Sequence, residues 1–148
     1  MSNSDIFTIV GSSLQAQDAR MGAIASNLAN IDSVTPPGGV PYRAHEVVFQ
    51  AAGADGDAAD LSGSTDAATA DDGVAVAGTV LSNAPVKTRY DPGSPYADAQ
   101  GNVTGSNVSQ VGQMVDLIDS SNSYSASVAV LQQASRVDQQ ILSSFQVS

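Results

Sequence analysis

The sequence predicts a mainly α-helical chain with a small β insert. Long N- and C-terminal helices form a coiled-coil-like pair around a short-stranded middle region. Three observations carry this. Apolar residues recur at alternating three- and four-residue spacings near both ends, every-second-residue alternation appears only between them, and clusters of Pro, Gly, Asp and Asn separate the two patterns.

From Ile6 to Ile31 the apolar positions are Phe7, Val10, Leu14, Met21, Ile24, Leu28 and Ile31, with Gln17 filling the gap. This is a heptad a/d seam on a helix of roughly 28 residues and about 42 Å. Gly11, Gly22 and many serines each cost such a helix about 0.5–1 kcal/mol relative to alanine, so alone it is marginal. Asp32-Ser33 and Thr35-Pro36-Pro37-Gly38-Gly39 stop it, because proline lacks the amide donor and the glycines favour turns.

Val40–Gln50 contains the β-prone run Val47-Val48-Phe49 and predicts a short strand or hairpin arm. The stretch 51–73 holds six aspartates, no basic residue, and Leu61 as its one large apolar side chain, a composition expected of a disordered loop. Alternation returns at Val74, Val76 and Val80, and at Val86, Thr88 and Tyr90, with Tyr90 and Tyr96 expected to cover one sheet face. Turn chemistry follows in Asp91-Pro92-Gly93-Ser94-Pro95 and Asp98-Ala99-Gln100-Gly101-Asn102.

From Val108 to Phe145 the heptad phase resumes at Met114, Leu117, Tyr124, Val128, Leu131, Leu142 and Phe145, with Ser121, Ser135 and Asp138 interrupting it. Ser109 is placed to cap this helix. The expected organisation is therefore an N-terminal helix over 1–35, a β-rich middle region over 36–107, and a C-terminal helix over 108–148.

Composition narrows the function. The 148 residues carry five Lys+Arg against fifteen Asp+Glu, a formal net charge of -10. Five scattered basic residues cannot form a phosphate-binding patch, which argues against nucleic acid and against an anionic membrane surface. The lack of cysteine removes disulfide and thiolate chemistry, and a single histidine leaves little from which to build a zinc site or a histidine relay. No metal, cofactor or catalytic activity is expected. The first charge, Asp5, is negative where a secretory signal would carry Lys or Arg, and no stretch approaches the ~18 apolar residues of a membrane span.

The remaining chemical candidates have plainer explanations. His45 and Glu46 are neighbours on a predicted strand, where adjacent side chains point to opposite faces, so a surface histidine is the better account. Asp91, Asp98 and Asn102 lack the spacing and closing glutamate of a calcium loop and read as turn formers. Gly38-Gly39 is too short for a phosphate cradle. The two seams are different. Packed only on each other they would make a two-helix core with no third layer, so other chains must supply contacts. Head-to-tail contacts that do not close give a helical filament or tube.

Ala25-Ser26-Asn27-Leu28-Ala29-Asn30, late in the first helix, resembles the signature of flagellar axial proteins. Pro41-Tyr42-Arg43 with Glu46-Val47-Val48-Phe49 is similar to the segment that follows this signature in the proximal-rod branch of the flagella basal body rod protein family. Tyr90-Asp91-Pro92-Gly93-Ser94-Pro95, then Ala97-Asp98-Ala99, Gly101, Val103 and Asn107-Val108, resembles that branch's entry into its last helix. Met114-Val115-Asp116-Leu117-Ile118, with Ser121, Tyr124, Ala126 and Val128, resembles the helix itself. The resemblance spans about 5–50 and 74–148. It leaves the acidic stretch 51–73 unassigned and finds Ser123 where a basic or small residue is expected.

The resemblance implies a structural subunit of the flagellar rod, exported unfolded through the flagellar type III channel without a cleaved signal and contributing to motility. It implies partners among other rod subunits, the rod–ring adaptor, the inner-membrane ring and the export apparatus, with copies arranged in a helical tube and no membrane insertion. The assembly surface is expected at Phe7, Val10, Leu14, Met21, Ile24, Leu28 and Ile31, joined by the signature residues Asn27 and Asn30. Its second half is expected at Met114, Leu117, Ile118, Tyr124, Val128, Leu131 and Leu142. Monomers are expected to be disordered at both ends. Two other readings remain: another axial rod subunit, and an acidic export adaptor or chaperone that stays in the cytosol.

Overall fold

The computed structural model describes residues 3–52 and 73–145. Its elements are α1 (Asn3–Ala29), β1 (Val34–Thr35), β2 (His45–Ala51), β3 (Val74–Leu81), β4 (Thr88–Tyr90), β5 (Asn102–Gly105) and α2 (Gln110–Phe145). The two long helices and the small strands between them match the expected order of helix, β insert and helix. All but the ends of the acidic stretch 51–73 lies outside the described residues. At those ends Ala51 is the last residue of β2, and Ala52 N–H donates to the Gly73 carbonyl at 2.9 Å.

Side chains set the helix boundaries. Asn30 Nδ2 donates to the Ser26 carbonyl at 2.9 Å, and Ser33 Oγ donates to the Asn30 carbonyl at 2.8 Å. These bonds satisfy carbonyls that the end of a helix leaves open. Asn30 and Ile31 therefore lie just past α1 rather than on it. Ser109 caps α2 as expected: Gly112 N–H donates to Ser109 Oγ at 3.3 Å, and Gln113 N–H to its carbonyl at 2.9 Å.

The strands form a three-stranded sheet in the order β1-β5-β4 and a two-stranded sheet of β2 and β3. β5 is central and antiparallel to both neighbours, with Val34 opposite Gly105 and Arg89 opposite Val103. Turn chemistry fixes the connections. Gly39 N–H donates to the Pro36 carbonyl at 2.9 Å across Pro37 and Gly38, whose φ of 81° suits the third position of a type II turn. Asp98 Oδ1 accepts from the backbone N–H groups of Gln100 and Asn102, at 2.9 and 2.8 Å. This is the turn-forming role expected for that aspartate. Tyr90 is 70% exposed and Tyr96 is exposed as well.

Backbone packing groups the chain into two compact units that cut both helices. One comprises Met1–Asp18, Phe49–Ala77 and Ser121–Ser148. Among its described residues only Val10, Ala16 and Ala134 are buried, and Ser13 Oγ lies 3.4 Å from Ser127 Oγ. Its core is thin and its side chains are short. The other unit comprises Ala19–Val48 and Gly78–Ser120. It buries Ile24, Ala44, Val103 and Val108, and with them the polar Asn27, Ser106, Asn107 and Ser120.

The heptad seam of the first helix lies on the covered side: from Phe7 to Leu28, each of its positions is buried or half-buried. On α2 the chain half-buries Val128 and Leu131 of the expected seam and leaves others open. Met114, Leu117 and Leu142 are exposed, whereas Gln113, Asp116 and Ser120 in one unit, and Ser127, Leu131, Ala134 and Asp138 in the other, are covered. In the unit that holds Ser120, polar residues take the covered positions on α2 and the longer apolar side chains face outward.

Candidate assembly surface and its internal latch

Asn27 is 1% exposed and all of its amide's bonding positions are used inside the chain. Nδ2 donates to the His45 carbonyl at 2.9 Å and to Gln113 Oε1 at 2.8 Å. Oδ1 accepts from His45 N–H at 2.8 Å and from Tyr42 Oη at 3.1 Å. One side chain thus ties the end of α1 to the start of β2 and to the first turn of α2. Tyr42 Oη also lies 3.1 Å from Ser26 Oγ and 3.0 Å from His45 Nδ1. His45 is accordingly half-buried within this network rather than a free surface residue.

Asn107 does the same work beside it, at Ala44. Its Oδ1 accepts from Ala44 N–H at 2.7 Å, and its Nδ2 donates to the carbonyls of Ser82 and Ala84 at 3.1 and 3.0 Å. Ser106 Oγ donates to the Ile31 carbonyl at 2.7 Å, Arg43 donates to the Ser82 carbonyl at 3.0 Å, and Lys87 Nζ donates to the Val108 carbonyl. Buried polar groups are tolerable only when satisfied in this way, and satisfied networks fix one arrangement of the chain. Tyr42, His45, Asn107 and Gln113 were given no role from the sequence. Pro41-Tyr42-Arg43 and Asn107 lay inside the matching blocks, and this was the one available signal.

The apolar counterpart lies on the start of α2. Val111, Met114, Val115 and Ile118 recur at the three- and four-residue spacing of one helical face. They are 73%, 53%, 52% and 60% exposed. Leu117 flanks them and is also exposed. Farther along α2, in the other unit, Tyr124 and Leu142 are exposed while Val128 and Leu131 are half-buried. The expected assembly residues thus fall into two groups. Those of α1, with Asn27, are largely engaged within the chain, and most of those on α2 are open.

Two clefts lie in the unit that holds the latch. One, about 310 Å³, is polar and lined by residues that include Arg20, His45, Glu46, Gln113 and Asp116. Arg20 and Asp116 approach to 4.0 Å within it. The other, about 250 Å³, is lined by residues that include Ile31, Val34, Lys87, Arg89 and Gln110. Among the described residues no three His, Cys, Asp or Glu side chains converge as a metal site, and no helix is long and apolar enough to cross a membrane.

Comparison with known proteins gives this arrangement its class. Residues 9–36 match the family described as flagella basal body rod protein, and residues 99–144 match the flagellar basal body rod FlgEFG protein C-terminal family. Both terminal helices thus match families of flagellar rod proteins, which are structural proteins and not enzymes. The flagellar basal-body rod protein FlgC of Salmonella typhimurium strain LT2 is 48% identical over 127 residues, covering 86% of each chain. That of Escherichia coli O6:H1 is 50% identical over 127 residues with the same coverage, and that of Bacillus subtilis strain 168 is 34% identical over 127 residues, covering 83% of this chain and 85% of its own. The chain belongs to the family of the flagellar basal-body rod protein FlgC.

Proposed function

We propose that this chain is a structural subunit of the proximal flagellar rod, assembled in several copies within a helical tube and contributing to motility. It reaches the periplasmic rod after export in an unfolded state through the flagellar channel, without a cleaved signal. Its neighbours are other rod subunits, with the rod–ring adaptor and inner-membrane ring proteins at the base. The α1 seam with Asn27 and Asn30 forms the half of the joint shaped within the subunit. The open α2 face, with Met114, Leu117, Ile118, Tyr124 and Leu142, forms the half completed by other subunits.

The observation that carries this reading is the inversion on α2. A helix that covers Gln113, Asp116 and Ser120 while exposing Val111, Met114, Val115 and Ile118 leaves its apolar area for another chain. Family membership identifies the kind of assembly. The thin core of the unit that holds both chain ends suits a polypeptide that travels unfolded and completes its packing on docking.

The test is a pair of variants in the native organism. Leu28→Asp, on the covered seam, and Ile118→Asp, on the open face, are each expected to abolish swimming while the subunit is still exported. Normal swimming by both variants contradicts the reading.

A further inference from the structure

The polar groups around Asn27 admit one assignment of protons. His45 sets its backbone N–H 2.8 Å from Asn27 Oδ1 and its carbonyl 2.9 Å from Nδ2. A flipped amide would put donor against donor and acceptor against acceptor, so the backbone determines the amide's orientation. Asn27 Oδ1 can only accept, and Tyr42 Oη, 3.1 Å away, therefore gives it its single proton. The phenol oxygen is left with lone pairs alone. His45 Nδ1, at 3.0 Å, and Ser26 Oγ, at 3.1 Å, must then both donate to it.

We infer that His45 is a positioning residue of the Asn27 latch, held as the Nδ1–H tautomer, and that the latch keeps all of its hydrogen bonds when the ring takes up a second proton. Nδ1–H is common to this neutral tautomer and to the imidazolium, so only Nε2 changes on protonation. Nε2 has no hydrogen-bond partner among the described residues, and no bond of the latch runs through it. The charged groups lining the cleft with His45 are Arg20, Glu46 and Asp116, and Tyr42 stands on its Nδ1 side with the two ring centroids 5.3 Å apart.

The opposite tautomer would break the network. With Nδ1 bare, Tyr42 could satisfy either His45 or Asn27 Oδ1 with its one proton but not both, leaving two acceptors facing each other. A polar joint containing a histidine is ordinarily a candidate pH switch. Here the direction of every hydrogen bond makes it a joint indifferent to the ring's charge. The inference concerns the folded chain and stands apart from the rod assignment, so either can fail without the other.

His45 is the single histidine, so its ring nitrogens are unambiguous in nitrogen-15 NMR of the full chain. Above the ring's titration, Nδ1 is expected to be protonated and Nε2 to carry the lone pair. A dominant Nε2–H form overturns the inference. Protection of the His45 backbone amide, corrected for intrinsic exchange, is expected to change less than about fivefold across the titration, and a larger loss overturns it. Tyr42→Phe removes the acceptor and should release the ring to the Nε2–H form; an Nδ1–H ring in a folded Tyr42→Phe chain overturns the role given to Tyr42. Should that variant fail to fold, the tautomer of the unaltered chain decides.

Discussion

The Asn27 side-chain amide pairs with both backbone polar groups of His45, accepting from its N–H at 2.8 Å and donating to its carbonyl at 2.9 Å. A side chain on a helix thus occupies the place of a neighbouring strand's peptide at the first residue of β2. The pairing explains why an asparagine within Ala25–Asn30, next to the seam residue Leu28, is buried.

Asn27→Asp is nearly isosteric but replaces the donor with a second acceptor facing the His45 carbonyl and Gln113 Oε1. It should destabilise the fold by about 3 kcal/mol, at least as much as Asn27→Ala, because leaving buried groups unsatisfied costs more than losing the bond itself. Urea denaturation of the two variants checks this. An Asn27→Asp chain as stable as the parent would mean that the pairing contributes nothing.

Asn107→Ala should cost about 1–3 kcal/mol, since it strands the Ala44 N–H and takes a donor from the Ala84 carbonyl, while the Ser82 carbonyl keeps Arg43. Hydrogen exchange should show the loss first at Ala44.

Gly101 has φ 81°, and an added Cβ would lie 2.9 Å from the Tyr90 ring. Gly101→Ala should therefore cost about 1–2 kcal/mol through the left-handed backbone alone, read as a lower denaturation midpoint. Gly11→Ala, in open space on α1, should instead stabilise by about 0.5–1 kcal/mol.

On the open face of α2, Val115→Asp should change the isolated chain's stability by less than about 0.5 kcal/mol, because the side chain is half exposed. The same change should stop rod assembly. Comparing the denaturation midpoint with incorporation into basal bodies separates the two effects.

The helices and strands were legible because their periodicities are local. Val74, Val76 and Val80 declare β3, and Ser109 declares the start of α2. The direction α2 faces was not legible. Heptad spacing marks which residues share a face but not whether the same chain or another covers it: Met114 and Ile118 stay open, and Gln113 and Ser120 take the covered side. The latch was hidden for a related reason. Asn27, Tyr42 and His45 meet through hydrogen bonds across loops, and no spacing in the sequence encodes those distances. The resemblance singled out Asn27 but cast it as part of an assembly surface, whereas its amide is fully engaged within the chain.

The most direct test of the central claim is quantitative mass spectrometry of hook–basal bodies extracted from the native organism, with the unaltered chain and with Ile118→Asp. The structural reading predicts several copies of the unaltered chain per particle alongside other rod subunits, and loss of the Ile118→Asp chain from the particles. An unaltered chain that is absent from the particles and abundant in the cytosol would contradict it, and would make the open face of α2 a binding surface for a different client.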